Sequence, residues 1–286
     1  AIVNAEAPTT LRVGGGLALR DGGTLMVFSA PTNGAPGSLG AVVEVGGALQ
    51  VASNSWIRPH AHPVNGGAPL FQVGHLLVDA GGGVNADGLG WSGSTNACVG
   101  GFGPGGGEGT GPGASPTTGR GCAGGYGGRG GGSYYVTAGG LTYGCSNAPA
   151  EPGSGGVPYQ GARGLSGGGL IRVAAAGKIT LDGLLTASSA SGAGPGSGGG
   201  ISLRCRRFAG SGAARANGGG NSSTLAAGGA GGRIAVWRTH HEFNGSATAD
   251  AGTGPTSGSG RSWDPGKPGT VVWGPIPATG TTLLLR

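Results

Sequence analysis

The chain carries 74 Gly and 18 Pro in 286 residues, with a net charge of +6 and only 10% charged residues. That much Gly and Pro ordinarily marks low complexity or disorder, but disordered chains are polar and highly charged, and this one has a mean hydropathy near zero. Collagen is excluded because Gly keeps no three-residue register through residues 99–132, VGGFGPGGGEGTGPGASPTTGRGCAGGYGGRGGG.

The chain starts at Ala1, which reads as the product of leader removal and therefore of secretion to an extracellular or cell-surface location. In chain order, short β-type runs begin at Leu11, Val42 and Phe71, and again at Leu170, Ile201, Ile234 and Val271. Each repeats one grammar. An alternating strand comes first (Ile171, Val173; Ile201, Leu203; Ile234, Val236). A second follows about eight residues later (Ile179, Leu181), then a third piece (Leu184, Leu185; Ala247, Ala249) and a Gly/Ser/Ala run. Period-2 alternation between turn residues is the strand signature. No window shows a 3.6 period, so almost no α-helix is expected.

Three short strands in about 30 residues describe one rung of a right-handed parallel β-helix, or β-solenoid, whose inward residues stack into a continuous column. An antiparallel sandwich or jelly roll is the alternative architecture. A single domain is predicted over 1–286, with a Gly-rich insertion at 93–166 between rungs. Polyproline-II-type helices have three residues per turn and no internal hydrogen bonds, and glycine lets them approach closely. The insertion and the shorter runs at 196–200 and 226–232 are therefore expected to pack as a polyglycine-II-like bundle, bonded backbone to backbone. Irregular loops held by two disulfides are the competing reading.

The phrases SGGGLIRVAAAGKITLDGLLTASSASGAGPGSGGG (166–200) and GGAGGRIAVWRTHHEFNGSATADAGTG (228–254) resemble Gly-rich β-helical proteins that bacteria secrete. The resemblance covers 166–274 well and 9–92 loosely. It implies an extracellular setting and carries no catalytic motif.

The four cysteines, Cys98, Cys122, Cys145 and Cys205, are even in number and have no C-x-x-C spacing, which in a secreted chain reads as two disulfides, with Cys98 to Cys122 the expected staple. None of the eleven carboxylates stands within two positions of another, so no catalytic pair is legible and no enzyme is expected. Rung stacking would bring Asp79, Asp182 and Asp250 together. His60, His62 and His75 could meet at a metal, and Asp87-Gly88-Leu89-Gly90 is a fragment of a Ca²⁺-binding repeat that lacks its tandem copies. No metal or cofactor is assigned beyond that Ca²⁺ fragment. Asn221 and Asn244 begin weak glycosylation sequons.

Tyr126, Tyr134, Tyr135, Tyr143 and Tyr159 fall in the insertion, to cover the glycines or to stack on surface glycans. The arginines, apart from Arg204-Cys205-Arg206-Arg207, are too scattered for a nucleic-acid footprint, and no apolar run is long enough for membrane insertion. A solenoid has two open ends, and segments 1–13 and 279–286 are β-prone and nearly uncharged. Ile2, Val3, Leu11, Val13, Leu283, Leu284 and Leu285 are the expected subunit contacts of a head-to-tail homopolymer. The function expected is therefore structural, an extracellular filament subunit. A carbohydrate-binding adhesin using the Tyr/Gly-rich insertion and a β-helix polysaccharide lyase are the alternatives.

Overall fold

A computed structural model describes residues 8–32, 39–95, 99–107, 121–134, 137–158, 163–221, 226–258 and 260–276. Among them the chain is all-β, without an α-helix. The first repeat holds β1 (Thr9–Val13), β2 (Leu17–Leu19) and β3 (Thr24–Phe28). Then follow β4 (Leu39–Val51) and β5 (Trp56–His60), and β6 (Ala68–Val78) and β7 (Gly83–Asn85). After a long strand-poor interval come β8 (Leu170–Ala175), β9 (Lys178–Leu181) and β10 (Leu184–Thr186). The last repeats hold β11 (Gly200–Gly210) and β12 (Ala213–Arg215), then β13 (Arg233–Phe243) and β14 (Ser246–Thr248). A two-residue-strand hairpin, β15 (Ser257–Gly258) and β16 (Arg261–Ser262), precedes β17 (Thr270–Pro275).

Two parallel sheets result. The nine-stranded sheet runs β1-β4-β6-β8-β11-β13-β17, with β2 beside β4 and β9 between β6 and β11. The six-stranded sheet runs β3-β5-β7-β10-β12-β14. Only β15 and β16 pair antiparallel among the named strands. Like residues therefore stack on like. One inward column reads Leu11, Val43, Phe71, Val173, Leu203, Val236, Trp273. A second reads Leu17, Leu49, Leu76, Ile179, Phe208, His241. The opposite sheet answers with Leu25, Ile57, Val84, Leu185, Ala214, Ala247. All of these side chains except the exposed His241 and Trp273 of the last repeats form one hydrophobic cluster between the sheets, each full burial worth about 1.5–3 kcal/mol.

The tight corners are held by polar side chains that reach from one repeat to the next. Asp182 Oδ1 accepts from the Ser211 amide at 3.0 Å. At the other corner Asp87 Oδ1 accepts from the Ser188 amide, Ser188 Oγ from the Asn217 amide, and Asn217 Oδ1 from the Asp250 amide. Asp250 thus belongs to the Asp87 corner. It does not join Asp79 and Asp182 as the repeat alignment suggested, because a carboxylate's corner is set by its distance from the strand before it.

The interval from β7 to β8 is wider than the expected insertion, and its described residues form a slab with the Gly runs that follow β10, β12 and β14. Backbone hydrogen bonds in the slab recur every third residue. Trp91 and Ser94 donate to Gly153 and Gly156, while Gly153 and Gly156 donate to Gly168 and Leu165. Leu165 and Gly168 donate in turn to Gly194 and Ser197. Gly229 and Gly232 donate to Gly219 and Ala216. Intervening residues bond to other neighbours, such as Gly155 to Phe102 and Gly198 to Ala230. A Cβ on Gly232 would fall on the carbonyl oxygen of Gly199, and one on Gly269 on that of Gly232. The backbones meet where any side chain would intervene.

Candidate functional site

Two regions combine the predicted residues with unusual geometry: the junction of the slab with the nine-stranded sheet, and the outermost described strands of that sheet.

At the junction, side chains on the outer face of β8 and β13 hold the backbone at Tyr126, Tyr143, Asn147 and Ala150. Arg233 is 7% exposed, and the slots opposite it in register are the small Gly200 and Thr270. Its Nε and Nη2 donate to the Tyr143 carbonyl at 3.0 and 2.7 Å. Nη2 also reaches the Tyr126 carbonyl at 3.4 Å and Nη1 reaches Thr270 Oγ1 at 3.3 Å. The guanidinium carbon lies 5.4 Å from the Tyr126 ring centroid, within cation–π range. Arg172 Nη2 donates to the Ala150 carbonyl at 2.8 Å and Trp237 Nε1 to the Asn147 carbonyl at 2.7 Å. The two guanidinium donors make charge-assisted bonds, the stronger kind, and with the neutral indole of Trp237 three outward side chains clamp the slab to the sheet.

The rings beneath are packed, with Tyr126 and Tyr143 centroids 4.6 Å apart. Ser154 Oγ donates to the Tyr143 hydroxyl at 2.9 Å and accepts from the Gly105 amide at 3.1 Å, carrying the network into the slab. Tyr126 is fully buried, and its hydroxyl and Glu151 Oε2 are buried polar atoms without a hydrogen-bond partner among the described residues. Burial, then the Glu151 charge, pushes the Tyr126 phenol far above its usual range. Burial raises the Glu151 carboxyl as well, against the opposing pull of Arg233 and Arg172. A carboxylate among phenols is chemically suggestive, but the cluster sits beneath the slab, and its chemistry is that of a clamp.

The remaining predicted residues fall as follows. Cys98 lies outside the described residues. Cys122 is buried, while Cys145 is exposed and Cys205 buried, both as free thiols. Cys145 and Cys205 are therefore not bridged to each other, and the expected Cys98–Cys122 staple lies partly outside the described residues. Cys205 faces inward on β11 between Leu203 and Phe208 and acts as a small core hydrophobe. His60 stacks on Phe28 at 4.3 Å, His62 Nδ1 accepts from the Asn65 amide, and His75 Nδ1 accepts from the Lys178 amide, so each ring has a separate local role. The Asn221 carboxamide donates to the Ala227 carbonyl at 3.2 Å, while Asn244 is exposed in the turn after β13. Tyr134 holds the Arg261 guanidinium at 4.8 Å, and Tyr135 and Tyr159 lie outside the described residues.

Leu11 and Val13 lie on β1 and are half-buried. Ile2, Val3 and Leu283 to Leu285 lie outside the described residues. Among the described residues β1 pairs only with β4, and β17 only with β13. On the six-stranded sheet β3 pairs only with β5, and β14 only with β12. The column that buries Val43 through Val236 leaves Trp273 37% exposed, with Val271 beside it at 36%. Trp273 sits in a cluster with Phe208, Phe243 and His241, under the Arg238 guanidinium at 5.5 Å. At the other end Met26 is 38% exposed.

No family model, no curated protein and no solved structure matches the chain.

Proposed function

We propose that the chain is a structural, non-enzymatic subunit of an extracellular filament. In this reading it is a right-handed parallel β-helix flanked by a polyglycine-II-type bundle, and copies join head to tail through their terminal β segments. The observation that carries the reading is that β1 and β17 are the outermost strands, at opposite ends of one in-register parallel sheet, among the described residues. Each edge presents apolar members of columns that the interior repeats bury. Docking β17 of one copy against β1 of the next would continue both the hydrogen-bond ladder and the Leu11-to-Trp273 column. Such heterologous contacts do not close, and generate fibres. The three-residue spacing of hydrogen bonds between Gly segments supports the bundle.

Electron microscopy of the purified protein is the test. Fibres are expected for the native chain and discrete particles for Trp273→Asp, with the far-UV circular dichroism of the variant unchanged. Discrete particles from the native chain at high concentration would refute the filament. The adhesin reading loses ground because Tyr126 and Tyr143 face inward under the slab.

A further inference from the structure

A groove of about 1160 Å³ crosses the outer face of the nine-stranded sheet, perpendicular to the strands. One register column forms its wall, Arg12, Glu44, Gln72, Ala174 and Arg204, all turned away from the core. Its floor is the line of small residues two positions further along each strand, Gly14, Gly46, Gly74 and Ala176. The sheet bends there: Gly46 and Gly47 together oppose Gly74 in a bulge. A Cβ on Gly74 would meet the carbonyl oxygens of both at 2.7 Å. Bulges of this kind bend a strand and re-aim its neighbours.

The charge along the groove is uneven. Arg12 is held by Glu44 at 2.7 Å. Arg204 and Arg206 stand exposed on the same face of β11, with no carboxylate partner among the described residues, and His240 follows on β13. The groove spans six strands, from β1 to β13. Strands about 4.8 Å apart make that roughly 24 Å, the dimension of an extended polymer and too long for a single small anion. Every strand of the floor between the two edges is hydrogen-bonded on both sides, so no free backbone edge exists there to pair with a polypeptide. Recognition must run through side chains: guanidinium groups for carboxylates, and Glu44, Gln72 and Thr239 for hydroxyls.

We propose that this groove binds an extended carboxylated polysaccharide. The assignment concerns the outer face of a single chain and stands whether or not copies polymerise.

Titration calorimetry at low salt with alginate as the probe tests it, against dextran as a neutral chain and polyglutamate and duplex DNA as other polyanions. Alginate should bind and dextran should not. Arg204→Ser/Arg206→Ser should weaken alginate about tenfold, the loss of two exposed ionic contacts. Ala174→Phe, which narrows the groove without changing charge, should weaken it comparably while far-UV circular dichroism and Tm hold. Should Ala174→Phe disturb folding, Gln72→Ala takes its place, with a smaller loss expected. Three results would overturn the proposal: no alginate binding, alginate binding indifferent to these variants, or polyglutamate and DNA bound as tightly as alginate and insensitive to Ala174→Phe.

Discussion

Gly232→Ala separates a close-packed slab from a set of loops by the sign of its effect. In a loop with ordinary space, replacing Gly by Ala at a compatible φ stabilises by about 0.4–1 kcal/mol, because the unfolded chain loses freedom. Gly232 is not in the left-handed region, so nothing in its own conformation opposes Ala. What opposes it is the neighbouring backbone: the new methyl would fall on the carbonyl oxygen of Gly199 and crowd Gly198. Relief requires the strands to part. Overpacking costs about 1–3 kcal/mol, and separating the Gly232 amide from the Ala216 carbonyl, now 2.7 Å away, leaves a buried donor at about 1–3 kcal/mol more. The net is a destabilisation of about 1–5 kcal/mol, at roughly 2–4 °C in Tm for each kcal/mol in a chain of this size. Differential scanning calorimetry reads it, with Gly15→Ala as control. Gly15 has nothing within 4 Å of an added Cβ, and its variant should be neutral or slightly stabilised. If Gly232→Ala matched Gly15→Ala, the argument that glycine is required here for backbone contact would be wrong.

Arg233→Met should cost about 1–3 kcal/mol, because it strips the Tyr143 carbonyl of its guanidinium donors; lowered Tm together with altered near-UV circular dichroism from the tyrosines checks it. The Glu151 carboxyl is raised in the folded state, so its burial opposes folding above that pKa and the penalty lifts as pH falls through it. Glu151→Gln should therefore raise Tm at neutral pH and flatten the pH dependence on the acid side; a Tm-against-pH series parallel to that of the native chain would contradict the assignment. Burial pushes the Cys205 thiol up to about 11, while Cys145 is exposed. Iodoacetamide at pH 8 should label Cys145 in the folded protein and Cys205 only after unfolding, as mass spectrometry of the peptides would establish.

The repeat grammar was legible because parallel stacking imposes the same period-2 alternation on every strand. Its register was legible where the alternation is strict, since Ile171, Ile201 and Ile234 stack as aligned and so do Val173, Leu203 and Val236; at the starts of the runs it was not. Aligning the runs at their first apolar residue sets Leu11 beside Val42 and Leu170 beside Ile201. The structure pairs Leu11 with Val43 and Leu170 with Gly200. A slip of one residue turns the whole strand over, and parity is decided by what stacks above and below. The same limit explains the misplaced Asp250.

The junction was the least visible part. Arg233 looked like one more scattered arginine; a hint lay in its slot, where the neighbouring repeats carry Gly200 and Thr270. Its partners are backbone carbonyls 90 and 107 residues away, which no local pattern encodes. The sequence by itself determined that this chain is built of short strands and that its glycines form runs between them, because alternation and the missing Cβ are local properties. The tertiary structure decided which residues face inward, which corner each carboxylate occupies and how the runs bond to one another, because those depend on contacts between segments far apart in the chain.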